Sequence, residues 1–273
     1  MCKLRLIISS FLVLCAGQIY AQLDSIQYLD EVLIIDSKLN EYATGFKLIQ
    51  ISDTIIKRDP SSLTDVLRFN SNIYFKENGY GMVSSPSFRG TNASQTAVIW
   101  NGIAINSNLT GQTDFNAISP SSFNSIIIRS GGGSTQYGSG AIGGSIHLNN
   151  NILFKEQEQH ELQLFYGSFS TLGENFKMIK STKKKYIDVG INFVSSKNDY
   201  NYLNSNSKNE NGEFLRFNGS FNTGLKFKKG SLTWNSSYFY GDRNFSGTLT
   251  SSSNANYKDA ITRNLVTWKT KAP

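Results

Sequence analysis

Alternation of apolar and polar residues through the second half of the chain is the feature that most constrains its fold. One face of segment 214–227 carries the apolar side chains Leu215, Phe217, Phe221, Leu225 and Phe227. The opposite face carries Arg216, Asn218, Ser220, Asn222 and Lys226. The same two-residue period recurs in 186–195 and 231–240, and it predicts β-strands with one apolar face. These segments reach the ~10 residues that a strand needs to cross an outer membrane.

The connections between the predicted strands distinguish a membrane barrel from a soluble sandwich. Six strands are predicted, near 160–167, 173–180, 186–195, 214–227, 231–240 and 261–270. Their links alternate between short and long, apart from 168–172, which is short where a long link is due. Short turns at one end and long loops at the other are typical of outer-membrane barrels. Because about eight strands are needed to close even a small barrel, the sequence predicts the first part of an antiparallel transmembrane β-barrel, incomplete over 151–273.

The first 21 residues are typical of a secretory signal. Lys3 and Arg5 precede an apolar stretch over 6–14, and Ala21 ends a plausible cleavage site. Both cysteines, Cys2 and Cys15, lie in this segment, so the exported chain is expected to contain no disulfide. Lipoprotein processing at Cys15 is the alternative, which the large residue before it disfavours. The apolar stretch is too short to span a bilayer as a helix.

The charge of the chain is uneven, and this raises the question of nucleic-acid binding. The sequence has 27 Lys and Arg against 20 Asp and Glu, with the excess in the second half. Seven of the cations cluster around two predicted turns, namely Lys180, Lys183, Lys184, Lys185, Lys226, Lys228 and Lys229. A run of cations at turns is also what solvated surface charge produces. Since export removes cytoplasmic DNA as a partner, we expect no nucleic-acid partner.

Residues 46–149 have the pattern of a compact α/β domain. Ser61 is predicted to cap a helix that runs to about Phe69. Asn101-Gly102 between two apolar runs predicts a two-residue hairpin turn, because both positions of a type I′ turn need a positive φ. The glycine-rich segment 131–144 precedes a final strand over 145–148.

No pattern of a catalytic or metal site is visible. Gly138, Gly140 and Gly143 fit a dinucleotide fingerprint, but that site needs a helix after the glycines, whereas a strand is predicted here. Of the two histidines, His147 and His160, neither has the spacing of metal ligands, and no nucleophile–base arrangement is present. We therefore expect a chain that is not an enzyme, with no cofactor and no metal.

Four segments, in order, resemble the plug region of TonB-dependent outer-membrane receptors. Residues 134–146, STQYGSGAIGGSI, resemble the end of the plug; 88–90, FRG, and 98–103, VIWNGI, resemble two earlier elements. Residues 29–35 resemble the TonB box, with the coupling residues Asp30, Glu31, Val32, Leu33, Ile34 and Ile35. The resemblance implies a tail over 22–45 and a plug over 46–150. The motif residues that it singles out are Phe88, Arg89, Gly90, Asn101, Gly102, Arg129, Tyr137, Gly138, Gly140, Gly143 and Gly144.

The sequence departs from the family pattern at charged positions. Asn101 stands where Asp is usual, Ile127 where Glu is usual, and Ser130 where Arg or Lys is common. Arg89 and Arg129 are candidates for charges that face acidic groups on the barrel wall; the alternative is exposed surface arginines. For residues 30–35, the alternative is an ordinary first strand of the plug.

The resemblance implies a function in transport through the outer membrane of a Gram-negative bacterium. The expected partners are TonB with the inner-membrane energising complex, outer-membrane lipid and a transported ligand. Segment 108–115 looks most like cobalamin receptors, with ferric siderophores as the competing ligand, and Asn106, Asn108, Thr110 and Gln112 are the candidate ligand-facing residues. A non-transporting outer-membrane binding protein and a truncated, non-functional gene product are the other interpretations.

Overall fold

Two sheets, one in each half of the chain, organise the protein. The computed structural model describes residues 46–58, 62–77 and 79–270. The predicted signal over 1–21 and the TonB-box-like segment 30–35 lie outside the described residues. The described residues fall within one compact unit, so the contacts between the two sheets can be described directly.

The first sheet forms the centre of the N-terminal domain. Its strands are β1 (Lys47–Ile51), β4 (Thr96–Trp100), β5 (Ile103–Ala104), β6 (Ser125–Ser130) and β7 (Gly144–Asn149). Among the described residues, the order in the sheet is β1-β6-β7-β4-β5. The β4–β7 pair is parallel and the others are antiparallel. A separate antiparallel pair consists of β2 (Ile73–Glu77) and β3 (Ser84–Phe88).

Short helices cover this sheet: α1 (Asp53–Arg58), α2 (Leu63–Asn70) and α3 (Ser134–Tyr137). Leu63, Val66 and Leu67 of α2 are buried in one core with the isoleucines of β6, which fixes the helix by burial of its apolar side. The cap of α2 is Ser62, whose hydroxyl accepts the Asp65 N–H at 3.4 Å. The prediction of a helix here is confirmed, but its cap is one residue later than the predicted Ser61.

No helix within the described ranges has both the length and the apolar composition needed to cross a membrane.

The second sheet contains the predicted alternating strands. In the described part of the chain it has β8 (Gln157–Gly167), β9 (Thr171–Ser181), β10 (Lys185–Ser196), β11 (Phe214–Phe227), β12 (Gly230–Asn244) and β13 (Asn256–Thr270). All neighbours are antiparallel and follow chain order, with β8 and β13 at the open edges. The prediction of the strands and of their antiparallel order is confirmed.

The connections of this sheet define its two ends. Residues 182–184 and 228–229 make the short connections of one end, which we call the turn end. Residues 168–170, 197–213 and 245–255 make the connections of the other end, which we call the loop end. The short 168–170 connection is the exception that the sequence predicted.

The faces of the second sheet are the reverse of those of a soluble sandwich. Its polar face is buried against the N-terminal domain: Arg216 is 2 % exposed and Arg243 1 % exposed. Its apolar face points away, with Val266 and Trp268 each 65 % exposed. A polar interior and an apolar exterior are the pattern of a membrane barrel wall. The fold is therefore an α+β domain followed by strands of an antiparallel transmembrane barrel type, in an open sheet.

Candidate functional site

The predicted Asn101-Gly102 turn has the backbone that the sequence indicated. Asn101 has φ +48° and Gly102 φ +89°, so both central residues are left-handed, as a type I′ turn requires. The Asn101 side chain also ties the hairpin to the chain that leaves β7. Its Oδ1 accepts the Asn150 N–H at 2.7 Å and its Nδ2 donates to Asn150 Oδ1 at 3.1 Å.

The glycine-rich segment packs closely against the turn after β3 and against β6, and then continues as a strand. A Cβ on Gly143 would lie 2.5 Å from Thr91 Oγ1, and one on Gly144 would lie 2.7 Å from the Arg129 carbonyl. Any larger residue would force these segments apart. Because β7 follows the glycines, the segment lacks the helix of a dinucleotide site.

The two arginines of the plug-like motifs lie in different surroundings. Arg89 is exposed, in the turn after Phe88, so it follows the surface alternative. Arg129 is buried, but Nη1 donates to Gln136 Oε1 at 2.8 Å and the guanidinium lies 4.1 Å from the Phe46 ring centroid. Both of these contacts are within the N-terminal domain. That Arg129 faces an acidic group on the barrel wall stays a prediction.

Tyr137, another of the motif residues, packs inside the N-terminal domain. Tyr137 packs edge-on against His147, with ring centroids 4.9 Å apart. His147 is fully buried and its Nε2 lies 2.9 Å from Ser145 Oγ. No group of three or more His, Cys, Asp or Glu within the described residues could hold a metal. These side chains therefore stabilise the domain around the glycine-rich segment.

A buried charged contact runs from the second sheet into the N-terminal domain; a more exposed one joins Lys57 of α1 to Glu161 of β8 at 3.4 Å. Arg243, on the inward face of β12, donates from Nη1 to Asp114 Oδ2 at 2.6 Å. Its Nη2 donates to Asp259 Oδ1 of β13 at 3.1 Å. The predicted strand ended at residue 240 and placed Arg243 in a long loop, whereas β12 continues to Asn244. No local pattern in the sequence indicated Asp114 as its partner.

Asp114 is held by both of its oxygens. While Oδ2 accepts from Arg243, Oδ1 accepts the N–H groups of Ser84 and Asn116, each at 3.0 Å. The second of these bonds caps the short 3-10 helix Phe115–Ala117. Charge-assisted hydrogen bonds of this kind are the stronger ones in proteins. Asp114 therefore connects β3 and the 3-10 helix with β12.

Asn116 joins further elements at the same place. Its Oδ1 accepts from the Ser62 and Thr64 hydroxyls at 3.0 and 2.8 Å. Its Nδ2 donates to Glu77 Oε1 and to the Met82 carbonyl, both at 2.6 Å. Its backbone carbonyl accepts from Arg216 Nη1 at 2.9 Å. We call residues 114–116 the docking segment, since two strands of the second sheet reach it.

The middle of β9 makes a different contact. Lys177 Nζ of β9 donates to the carbonyls of Ser121 and Phe123 at 2.9 and 3.4 Å. Nearby, Asp188 is buried and its Oδ2 accepts from Tyr186 and Asn222 at 3.3 and 3.4 Å.

A cleft lies beside this contact. It has a volume of about 70 Å³ and separates α1 and residues 121–124 from β8 and β9. Polar side chains line its sheet side, namely Gln159, Glu161, Gln163, Asn175 and Lys177.

The candidate ligand-facing residues lie on one loop, but they are not equivalent. The Asn106 amide is engaged by the backbone: Oδ1 accepts the Val98 N–H at 2.8 Å, and Nδ2 donates to the Thr96 and Gly111 carbonyls, both at 2.9 Å. Asn106 thus holds the base of the loop. Asn108, Thr110 and Gln112 are exposed around a tip where Leu109 is 95 % exposed.

Comparison with known proteins identifies the N-terminal domain. A family model described as the TonB-dependent Receptor Plug Domain matches residues 49–145. The vitamin B12 transporter BtuB of Vibrio vulnificus is 35% identical over 92 residues, which are 34% of this chain and 15% of that protein. The matched region therefore spans well under a fifth of that relative.

Solved structures show the same fold over a longer part of the chain. The copper transporter OprC aligns with TM-score 0.62 and 18% identity, over 74% of this chain and 31% of that one. The siderophore receptor PiuA of Acinetobacter baumannii aligns with TM-score 0.57 and 17% identity, over 72% of this chain and 26% of that one. Both alignments extend beyond the plug into the second sheet, since the plug match covers a shorter range.

Proposed function

The chain belongs to the TonB-dependent receptor family, and from this premise we propose that it serves the active uptake of a large, scarce solute, cobalamin, through the outer membrane of a Gram-negative bacterium. The plug gates the passage and the loop end binds the ligand. No bond of the ligand is made or broken, so the residues contribute affinity and a gate. The proteins that it resembles are named as transporters and receptors.

The observation that carries the proposal is the orientation of the second sheet around the plug. Arg216 and Arg243 are buried against the plug, whereas Trp268 and Val266 are exposed on the outer face. An apolar outer face of this size is stable when it meets lipid rather than water. This arrangement supports an outer-membrane location with the plug inside the strands.

Cobalamin is proposed from the loop that follows β5. Residues 108–115 resemble the corresponding segment of cobalamin receptors, and a vitamin B12 transporter is among the relatives in sequence. Asn108, Thr110 and Gln112 offer exposed amide and hydroxyl groups, which suit a ligand with many polar substituents. Ferric siderophores are the second candidate ligand, favoured by the fold similarity to a siderophore receptor.

Uptake of labelled cyanocobalamin tests the ligand. The cells lack their own cobalamin receptor and produce this protein in its natural form. We expect them to accumulate the label, and unlabelled cyanocobalamin should reduce the uptake of the labelled compound. Competition by a ferric siderophore instead, with no uptake of cobalamin, would favour the second candidate. Binding at the cell surface without accumulation would favour a non-transporting binding protein.

Energy coupling is proposed to use residues 30–35 as the TonB box. A run of apolar, β-prone residues such as 32–35 can be joined by a strand of the partner through backbone hydrogen bonds. Leu33→Pro removes one backbone donor from that pairing, so it is expected to abolish uptake and leave binding of cyanocobalamin intact. Leu33→Ala, which keeps the donor, is the control and should retain uptake. Normal uptake by the proline variant would refute this assignment.

A further inference from the structure

The exposed loop 107–112 is closed at its base by hydrogen bonds, and further hydrogen bonds within the loop make it a rigid unit. The Ser107 N–H donates to the Gln112 carbonyl at 2.9 Å, and the Gly111 N–H donates to the Ser107 carbonyl at 2.8 Å. The Ser107 hydroxyl also accepts the N–H groups of Leu109 and Thr110, at 3.2 and 3.3 Å. A loop with such internal bonds changes its orientation mainly at its two ends.

The two ends of this loop are anchored on different parts of the protein. Asn106, at the start, binds the backbone of β4 in the plug. Asp114, two residues after Gln112, binds Ser84 and Asn116 of the plug and also Arg243 of β12. The Arg243 side chain is 1 % exposed, so its position is fixed by packing. One of the two anchors therefore connects the loop to the sheet as well as to the plug.

We propose that Arg243 is a positioning residue for ligand recognition, which through Asp114 fixes the orientation of loop 107–112 and of the Asn108, Thr110 and Gln112 groups that it presents. This inference rests on the proposed function for its ligand, but the geometry that it describes is independent of which ligand binds. Arg243 itself lies below the loop, on the buried face of the sheet, and acts through Asp114.

The chemistry of Asp114 offers a variant that removes only the anchor on the sheet. In Asp114→Asn, the amide keeps an oxygen for the Ser84 and Asn116 N–H groups, so the bonds within the plug are retained. The amide nitrogen then faces the Arg243 guanidinium, which also presents only donors. The variant thus keeps the cap of the 3-10 helix and replaces an attractive contact by a repulsive one.

Asp259→Asn is the matched control. Asp259 accepts from the same guanidinium at 3.1 Å, but it lies on β13 and has no chain connection to the loop. Each of the two variants neutralises one carboxylate that binds the Arg243 guanidinium. If Arg243 positions the loop, the Asp114 variant changes the loop and the Asp259 variant changes it much less.

The experiment measures loop orientation without any ligand. A spin label on Leu109→Cys reports the loop, and one on Leu203→Cys, which is 92 % exposed on the connection 197–213, reports a part of the loop end outside the docking segment. Both are made in the complete receptor in outer-membrane vesicles. We expect Asp114→Asn to increase the mobile component of the spectrum at position 109 and to leave position 203 unchanged.

Ligand binding provides the second measurement. We expect Asp114→Asn to weaken binding of cyanocobalamin about tenfold, as loss of a charge-assisted contact does, and Asp259→Asn to weaken it by less than about threefold. Arg243→Lys keeps the charge without the two-pronged geometry and is expected to fall between wild type and Asp114→Asn. The double variant Asp114→Asn with Arg243→Lys should be no weaker than Asp114→Asn alone, because both act on one contact.

Two results separate this inference from the proposed function. If the wild-type receptor does not bind cyanocobalamin, the cobalamin assignment is wrong, and the label at position 109 still decides the role of Arg243. An unchanged spectrum at position 109 in both Asp114→Asn and Arg243→Lys, with the label at 203 showing an intact loop end, would overturn the inference. Equal effects of Asp114→Asn and Asp259→Asn at position 109 would also overturn it.

Discussion

Two contacts between the plug and the second sheet, one at the loop end and one at the middle of β9, use different chemistry. At the loop end, Arg243 binds the Asp114 and Asp259 carboxylates, with N–O distances of 2.6 and 3.1 Å. At the middle of β9, Lys177 binds the backbone carbonyls of Ser121 and Phe123. A guanidinium between carboxylates requires particular side chains in a fixed geometry, whereas an ammonium on carbonyls accepts any residues there. The loop end is therefore the more specific of the two contacts.

Of the substitutions that test this comparison, removal of Arg243 is expected to lower the stability of the protein most. Arg243→Met leaves two carboxylates, each under a fifth exposed, without their cation. Breaking a buried ion pair from one side costs about 3–5 kcal/mol. The loss of stability is measured by urea denaturation of the purified receptor in detergent, with the susceptibility of the plug to proteolysis as the signal of unfolding. Arg263→Met, on the inward face of neighbouring β13, is the control, and an equal loss in both variants would contradict a special role of Arg243.

Removal of Lys177 is expected to have a smaller effect. Lys177→Met loses two hydrogen bonds from a charged donor to neutral carbonyls, which water in the adjacent cleft can solvate. It also removes the ammonium that acts electrostatically on the buried Asp188 carboxylate. We expect a loss of about 1.5–3 kcal/mol in the same denaturation measurement. Lys180→Met changes an exposed lysine of the same strand and should alter stability by less than about 0.5 kcal/mol. A larger loss for Lys177→Met than for Arg243→Met would reverse the ranking of the two contacts.

Neutralisation of Asp188 is expected to have the smallest effect. Among the described residues its Oδ1 has no hydrogen-bond partner, and its Oδ2 makes only the two long bonds to Tyr186 and Asn222. A buried carboxylate with so few hydrogen bonds is costly to the fold, and the Lys177 ammonium offsets only part of that cost. Asp188→Asn should therefore change stability by no more than about 1 kcal/mol, in the stabilising direction. Asp199→Asn, on an exposed loop, controls for net charge. A marked loss of stability would show that the Asp188 carboxylate is an essential part of the contact around Lys177.

The sequence predicted correctly those local features that depend on a repeating pattern or on neighbouring residues. The strand period placed Arg216 and Asn222 on one face and Phe217 and Phe221 on the other, and the structure confirms both faces. The Asn101-Gly102 turn was predicted because its backbone needs are local. The cap of α2 was misplaced from Ser62 to Ser61 because adjacent serines satisfy the same local rule.

The candidate site was harder to predict because its residues are distant in sequence. Asn106 looks like the other polar residues of its loop, yet its amide is used by the backbone of β4 and of the loop itself. Arg129 could not be assigned to the surface or the interior from the sequence, and the structure buries it beside Phe46 and Gln136. In each case the role depends on which groups surround the side chain after folding.

The sequence by itself determined the class of each half: an α/β plug with its glycine-rich end, and strands with one polar and one apolar face. It did so because the pleat of a strand and the geometry of a turn depend on neighbouring residues. Only the tertiary structure decided that the charges cross from the sheet to the plug, with Arg243 bound to Asp114, 129 residues away. Alternation fixes the face on which a side chain lies, but the partner that it meets there depends on strand register and on how the plug packs within the sheet.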